Sequence, residues 1–244
     1  MGNETPRVLV VIPAYNEAET LPAVIRELQR VAPEVDCLVV DDGSRDGTAA
    51  VAQASGARTA SLPFNLGVGG AMRTGYRYGA AHGYDVVVQL DADGQHDPAA
   101  IATLVGALDD ADLVIGARFA GVGDYRVRGP RKWAMGILSA VLSRVTGHRL
   151  TDSTSGFKAA GDRAIRLFAE HYPAEYLGDT VEALVIAARS DCRVTQVPVA
   201  MRPRAGGSPS HGPFKSTVFL GRAMIALVFA LIHPRSTYAE AARP

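Results

Sequence analysis

Asp91, Asp93 and Gln95 alternate through the stretch DVVVQLDADGQHD, residues 85–97. Hard oxygen donors at that spacing can be turned toward one point, which would suit Mg²⁺ or Mn²⁺ bridging the phosphates of a nucleotide. The element that must deliver them is the run Val86, Val87, Val88 and Leu90, β-branched and aliphatic side chains that mark a strand buried on both faces and that stop at Asp91. In an open α/β sheet, ligands bind beyond the C-terminal ends of the strands, so such a strand carries its own carboxylates to the binding edge. The same residues also spell local structure. Asp93-Gly94 is turn chemistry, and Asp97-Pro98 reads as a helix cap followed by proline at the first helical position. We assign Asp97 to the cap and Asp91 and Asp93 to the ligand.

Other strands place further candidates at the same edge. Residues 7–14, RVLVVIPA, read as a first strand, and Leu21, Val24, Ile25 and Leu28 then recur at helical spacing. The connecting loop PAYNE, Pro13 to Glu17, offers the flat ring of Tyr15 and the carboxylate of Glu17, which a nucleobase could use. A helix-start loop with Asn16 as its cap would use the same residues. Residues 35–42, VDCLVVDD, form a second strand ending in acids. Asp42 is placed to accept from a base or ribose, and Asp46 to cap the next helix. A short strand at 57–62 leads to NLGVGGAMRTG, where Gly67, Gly69 and Gly70 resemble a dinucleotide fingerprint. Met72 replaces its third glycine and the loop follows the third strand, so a nicotinamide site is disfavoured. A glycine-rich helix start still permits close packing under a nucleotide, with Arg73 as a candidate phosphate contact.

A helix from Pro98 to Leu108 and a strand at 112–119 ending at Arg118 follow, then an amphipathic helix over 133–145 and a strand-like piece in 151–161 bearing Asp152 and Lys158. The helix over 178–190 carries Asp179 and Glu182 on one face of its first turn. Both are dipole partners for a helix start, and Asp179 equally suits a catalytic role. A last strand spans 192–201. Residues 202–216 hold three Gly, three Pro and three Ser, the composition of a mobile loop that would serve as a lid or a plain linker. Residues 217–232, TVFLGRAMIALVFALI, fall short of a spanning helix and read as an interfacial or partner-packed one.

With 244 residues and 48% hydrophobic content, the chain can bury a large core, and we expect one domain over 1–204 followed by a flexible loop, an apolar helix and a tail over 205–244. Its 25 acidic and 25 basic residues cancel, which excludes a bulk nucleic-acid binder. Basic residues nonetheless cluster at 118–132 and 202–222, suggesting anionic ligands in the second half. The two cysteines, Cys37 and Cys192, sit in strand-like patterns and read as reduced thiols of a cytosolic protein. No charged-then-apolar leader precedes Val8, so no signal peptide is expected.

PAYNE, VDDGSRDGT, NLGVGGA, LDADGQHDP and TSGFK occur in that order, and together they resemble glycosyltransferase family 2, in particular its polyprenyl-phosphate sugar transferase branch. The resemblance spans residues 7–204 and implies an α/β, GT-A (Rossmann-like) fold with a mostly parallel central sheet flanked by helices, and a nucleotide-diphosphate sugar (UDP- or GDP-linked) as donor. It implies that Pro13, Ala14, Tyr15, Glu17, Asp42, Gly69, Asp91, Ala92 and Asp93 surround the nucleotide sugar. Asp91, Asp93 and Gln95 would hold Mg²⁺ or Mn²⁺. Arg118, Arg131, Arg202 and Arg204 would contact the diphosphate or an acceptor phosphate, with Asp93, Arg118, Arg131 and Asp179 closest to the chemistry. The implied reaction is inverting transfer of one sugar to a polyprenyl phosphate at the cytoplasmic face of a membrane, with 217–232 contacting lipid or a second subunit. A soluble hydroxyl acceptor with Asp179 or Asp152 as base is the alternative, and a non-catalytic nucleotide-binding module a further one. Two departures stand out: Gly207-Ser208 is followed by Pro209 where the branch carries lysine, and the Q-x-x-R-W pattern of processive synthases is missing, which favours single-sugar transfer.

Overall fold

The computed structural model describes residues 5–117, 130–152, 154–173 and 179–202. Within these residues seven strands form one sheet: β1 Val8–Ala14, β2 Asp36–Asp41, β3 Arg58–Ser61, β4 Val86–Gln89, β5 Leu113–Ala117, β6 Lys158–Gly161 and β7 Val194–Pro198. Among the described residues, seven α-helices connect or flank them: α1 Leu21–Val31, α2 Thr48–Ala54, α3 Gly67–Ala81, α4 Ile101–Gly106, α5 Pro130–Thr146, α6 Asp162–His171 and α7 Asp179–Arg189. The strand order is β3-β2-β1-β4-β6-β5-β7. Pairings β3/β2, β2/β1, β1/β4 and β5/β7 are parallel, while β6 runs antiparallel to both β4 and β5. The expected mostly parallel sheet is therefore what forms, with β6 the exception.

The winding reverses between β1 and β4. From β1 the chain builds outward through β2 and β3, then returns to lay β4 on the other side of β1. That reversal opens a crevice beyond the carboxyl ends of β1 and β4, the topological switch point at which open α/β sheets bind ligands. The register sets Val11 opposite Gln89, so the loop after Ala14 and the acidic loop after Leu90 leave the sheet side by side.

Strand alternation divides the core in two. Leu9, Val11 and Val87 face a layer holding Leu138 and Leu142 of α5, Leu167 and Phe168 of α6 and Val185 of α7. Val8, Val10, Ile12, Val86 and Val88 face Leu21, Ile25 and Leu28 of α1 and Ile101 and Leu104 of α4. Burial on both faces explains why β1 and β4 read as unbroken apolar runs. The glycines of α3 let that helix settle on the sheet: a Cβ at Gly75 would lie 2.5 Å from Val11 Cγ1, and one at Gly79 would lie 2.6 Å from Val87 Cγ2. Close approach to the sheet is what Gly75 and Gly79 provide; of the fingerprint-like glycines, Gly67 takes a left-handed φ of 83° and a Cβ at Gly70 would lie 2.4 Å from Leu66 Cβ, so both serve the start of α3 without a dinucleotide. Tyr76 on the same helix packs its ring 5.1 Å from Phe168 and 5.1 Å from Tyr172.

Several sequence expectations change here. The helix after PAYNE begins at Leu21, and Asn16 does not cap it. Asn16 instead takes a left-handed φ of 55°, which asparagine tolerates better than most residues. From there it bridges two loops, its N–H donating to Ser44 Oγ and its Oδ1 accepting from Arg45 N. Arg73 does not face the nucleotide edge; its guanidinium donates to Glu170 O at the end of α6. α6 itself was not anticipated.

Candidate active site

The acidic loop leaves β4 at Leu90, whose N–H is held by Val11 O. Asp91 keeps 37% of its side chain exposed, while Asp93 is buried at 8% and accepts Gln95 N on Oδ1 at 3.0 Å. Ala92 points into the core. Asp97 caps the following turn, as its sequence context indicates: Oδ1 accepts Ala99 N at 2.9 Å, and Pro98 opens the 3₁₀ turn Pro98–Ala100 that runs into α4.

Residues distant in sequence complete this corner. Gly156, from TSGFK, lies against Asp91: a Cβ there would stand 3.1 and 3.2 Å from the two carboxylate oxygens and 3.0 Å from Gln89 Nε2. His96 is buried beneath the loop, its ring stacked on Phe157 at 4.8 Å and 12°. Arg202 arrives after β7 and ties the loop down. Its N–H donates to Gln95 O, Nη1 grips both oxygens of Glu27 at 2.8 and 2.9 Å, and Nη2 reaches Asp97 Oδ1 at 2.8 Å. These contacts, the Glu27 hydrogen bond first, raise the Arg202 pKa above its ordinary value and hold the guanidinium as a fixed cation.

On the β1 and β2 side, Pro13 and Ala14 pair with Val40 and Asp41, and Tyr15 emerges 45% exposed. Glu17 Oε2 accepts Thr20 Oγ1 at 2.8 Å, and its N–H donates to Thr48 Oγ1. Asp42 is 3% exposed, with Oδ1 accepting Leu66 N at 2.7 Å and Oδ2 accepting Gly67 N at 2.8 Å. It thus anchors the start of α3. Burial raises its pKa despite these two amides, and neighbouring Asp41 adds to the rise. Asp41, which sequence reasoning passed over, is also at this edge, with Oδ1 accepting Ser44 N. Gly43 leaves no room for a side chain, since a Cβ would lie 2.8 Å from the Phe64 carbonyl carbon; Phe64 itself is 62% exposed. Gly69 is buried in the first turn of α3.

Of the remaining candidates, Arg131 lies in α5 and Asp179 opens α7, but their side chains, like Arg118, Arg204 and segment 217–232, are outside the described residues. Asp152 is fully buried and closes its own turn, accepting Thr154 N and Thr154 Oγ1. Such a carboxylate is badly placed to take a proton from an acceptor.

A divalent cation fits the corner around Asp91. One carboxylate is open to the crevice, a second and an amide follow at alternate positions, and Gly156 clears the space beside the first. Among the described residues, no three His, Cys, Asp or Glu side chains converge as a metal cage. The protein thus offers a partial oxygen set, the kind that Mg²⁺ or Mn²⁺ completes with substrate phosphates and water.

Comparison with known proteins agrees with this geometry. The glycosyl transferase family 2 profile matches residues 9–170, from β1 through nearly all of α6. The chain belongs to glycosyl transferase family 2. It is a glycosyltransferase that draws on a nucleotide sugar. Among its relatives, an undecaprenyl-phosphate mannosyltransferase of Micrococcus luteus is 37% identical over 212 residues, 82% of this chain and 86% of that protein. A polyprenol monophosphomannose synthase of Mycolicibacterium smegmatis is 37% identical over 64% of this chain and 62% of its own length. Glucosyl-3-phosphoglycerate synthase from Mycobacterium tuberculosis, solved with Mn²⁺, UDP-glucose and phosphoglyceric acid, superimposes with a TM-score of 0.71 at 26% identity, over 94% of this chain and 81% of that one. The fold of this family 2 enzyme is accordingly GT-A-like.

Proposed function

We propose that this enzyme transfers one sugar, with inversion, from a nucleoside-diphosphate sugar to a polyprenyl phosphate, using Mg²⁺ or Mn²⁺ held by Asp91, Asp93 and Gln95. The observation that carries the acceptor assignment is the 37% identity across 82% of the chain to an undecaprenyl-phosphate mannosyltransferase. The metal assignment is supported by the open Asp91 carboxylate at the switch-point crevice and by the Mn²⁺ in the glucosyl-3-phosphoglycerate synthase complexes.

In this reading the base and ribose lie between the Tyr15–Glu17 loop and the Asp41–Asp42 turn, and the diphosphate passes over the Gly69 end of α3 toward Asp91. When bound, the cation supplies Lewis-acid stabilisation of the charge that builds on the departing diphosphate. Asp91 and Asp93 orient it, with the Arg202 clamp keeping their loop rigid. A lipid phosphate is already an anionic nucleophile at neutral pH, so it needs positioning by Arg118, Arg131, Arg202 and Arg204 more than it needs a general base. A hydroxyl acceptor would require one. Asp179 is then the candidate, since Asp152 is spent on its own turn.

Such an acceptor calls for action at the cytoplasmic membrane surface. Among the described residues no helix is long and apolar enough to cross a membrane, and segment 217–232 is the stretch we assign to lipid contact or to a second subunit. The test is incubation of purified enzyme with labelled UDP- and GDP-sugars, undecaprenyl phosphate in detergent, and Mg²⁺ or Mn²⁺. Formation of a mild-acid-labile lipid-linked monosaccharide supports the reading. Sugar transfer to phosphoglycerate or another soluble acceptor, with none to lipid, overturns the acceptor.

A further inference from the structure

We propose that His96 and Gln89 are positioning residues that hold Asp91 through its two different carboxylate oxygens and set the orientation of its carboxylate, and through it the metal affinity of the site. The proposal rests on the reading of Asp91 as a metal ligand.

His96 meets Asp91 twice. Its Nδ1 accepts the backbone N–H of Asp91 at 3.1 Å. An amide can only donate, so Nδ1 bears the lone pair and the ring proton of the neutral imidazole resides on Nε2. That Nε2 faces Asp91 Oδ2 at 3.5 Å, an electrostatic contact slightly longer than a full hydrogen bond. One ring thus fixes both the main chain and the carboxylate of the same residue. The ring cannot swing away: its side chain is 2% exposed, it stacks on Phe157, and its main chain bridges Met201.

Gln89 holds the other oxygen. Its Nε2 donates to Asp91 Oδ1 at 3.3 Å, and the residue is 3% exposed. Its Oε1 is buried without a hydrogen-bond partner among the described residues. A flipped amide would aim that oxygen at the carboxylate, so the repulsion between two acceptors enforces the orientation seen, at the cost of an unsatisfied carbonyl. A buried acceptor left unpaired beside Asp91 is what a residue retained for aiming a carboxylate would show, because packing alone would be served better by leucine or methionine. The contrast in exposure completes the arrangement: both supports are sealed in, while Asp91 keeps an open face toward the crevice. Hydrogen bonds that orient ligating groups govern metal affinity by roughly 10- to 100-fold.

The experiment is titration of the full chain with Mn²⁺ by electron paramagnetic resonance, in parallel with saturating UDP and with GDP, for the wild type and four variants. Asp91→Asn should abolish tight Mn²⁺ binding. His96→Phe retains the stack on Phe157 and should weaken Mn²⁺ about 10- to 100-fold, with faster amide exchange at Asp91. Gln89→Leu should weaken Mn²⁺ within that range without changing exchange at Asp91. His96→Gln, which can return a donor near the Nε2 position, should recover part of the loss. Nucleotide affinity measured with EDTA should be the same for the wild type, His96→Phe, His96→Gln and Gln89→Leu. If Asp91→Asn binds Mn²⁺ like the wild type, the metal reading itself fails and takes this proposal with it. If Asp91→Asn loses the metal while folded His96→Phe and Gln89→Leu bind it at wild-type affinity, the positioning role is overturned and the metal reading stands. Should His96→Phe not fold, Gln89→Leu decides by the same criterion.

Discussion

Gly156→Ala is a one-carbon probe of the corner proposed to hold the metal. The added Cβ would stand 3.0 Å from Gln89 Nε2 and 3.1 and 3.2 Å from the oxygens of Asp91, closer than carbon normally sits to either atom. No positive φ is recorded for Gly156, so alanine strains contacts, not the backbone. Relief requires the Asp91 carboxylate to retreat by a few tenths of an ångström, since Gln89 is buried and held between strands. Metal–ligand distances are defined to about 0.2 Å, so the displacement exceeds what the coordination sphere absorbs without loss. A misplacement of about 1 Å costs on the order of 100-fold in rate, so about 0.3 Å should cost roughly 4-fold in kcat together with a comparable rise in the Mn²⁺ concentration for half-maximal activity. Steady-state kinetics at varied Mn²⁺, alongside a melting curve, measures both. Unchanged kinetics and unchanged metal dependence in a folded Gly156→Ala protein would refute the placement of Asp91 at the metal.

Asp42→Asn offers one oxygen and an NH₂ where Leu66 N and Gly67 N both donate, so one buried amide loses its acceptor and stability should fall by about 1–3 kcal/mol, read by urea unfolding; no change would mean the α3 anchor is dispensable. Because burial raises the Asp42 pKa, its contribution to stability is full below the unfolded value of 3.8 and is lost as pH rises through the folded value; the pH–stability curve of Asp42→Asn should lack that step. Asp46 behaves oppositely: burial opposes its ionisation, but hydrogen bonds from Thr48 and Ala18 outweigh burial and lower the pKa, so its stabilisation is present above 3.8 and lost as pH falls through the folded value. Gly47, not the expected Asp46, holds the N-cap of α2, and Asp46 instead accepts Thr48 N and Ala18 N; Asp46→Ala should therefore cost about 0.5–1.5 kcal/mol at neutral pH and shrink the acid limb of the unfolding curve. Burial first, with nearby acids, pushes the Cys37 thiol up to about 12 and that of Cys192 up to about 11, so iodoacetamide at pH 8 should leave both unmodified in the native protein and label both in urea, as mass spectrometry would detect. Glu27→Gln loosens the Arg202 clamp without touching substrate and should lower the melting temperature by a few degrees while leaving the acceptor KM nearly unchanged, whereas Arg202→Ala, which also removes a proposed acceptor contact, should raise that KM as well; an unchanged KM would leave Arg202 a clamp alone.

The elements legible in the sequence are those whose burial is local in origin. β1 and β4 are sealed on both faces, so every residue from Leu9 to Ile12 and from Val86 to Val88 is apolar and the acids that end the run stand out. Asp97 was readable as a cap because its partner lies two residues on. α6 escaped notice because its ten residues are strongly charged and its stripe of Ala164, Ile165, Leu167 and Phe168 gains meaning only against Tyr76 of α3. The antiparallel direction of β6 depends on which neighbours it inserts between, which no local pattern states. Gly156 and Arg202 reach the acidic loop of Asp91–Asp97 across long sequence separations, and nothing in TSGFK or RPR announces which carboxylate each will meet. The burial of His96, beside a half-buried Gln95, comes from its stack on Phe157 across a long sequence separation, which the loop's own residues do not state. Asp42 shows the reverse case, an acid at a ligand-binding edge whose two oxygens are engaged by the chain itself.

The central claim, a donor site at the carboxyl ends of β1 and β4 that binds nucleotide through a metal on the aspartate pair, is tested most directly by calorimetry. UDP- and GDP-sugars would be titrated into the protein with and without Mn²⁺, for the wild type and for Asp93→Ala. The account predicts that one nucleotide class binds with a clear dependence on Mn²⁺ and that Asp93→Ala loses this dependence. Binding of equal strength with and without metal, unaltered in Asp93→Ala, would contradict it.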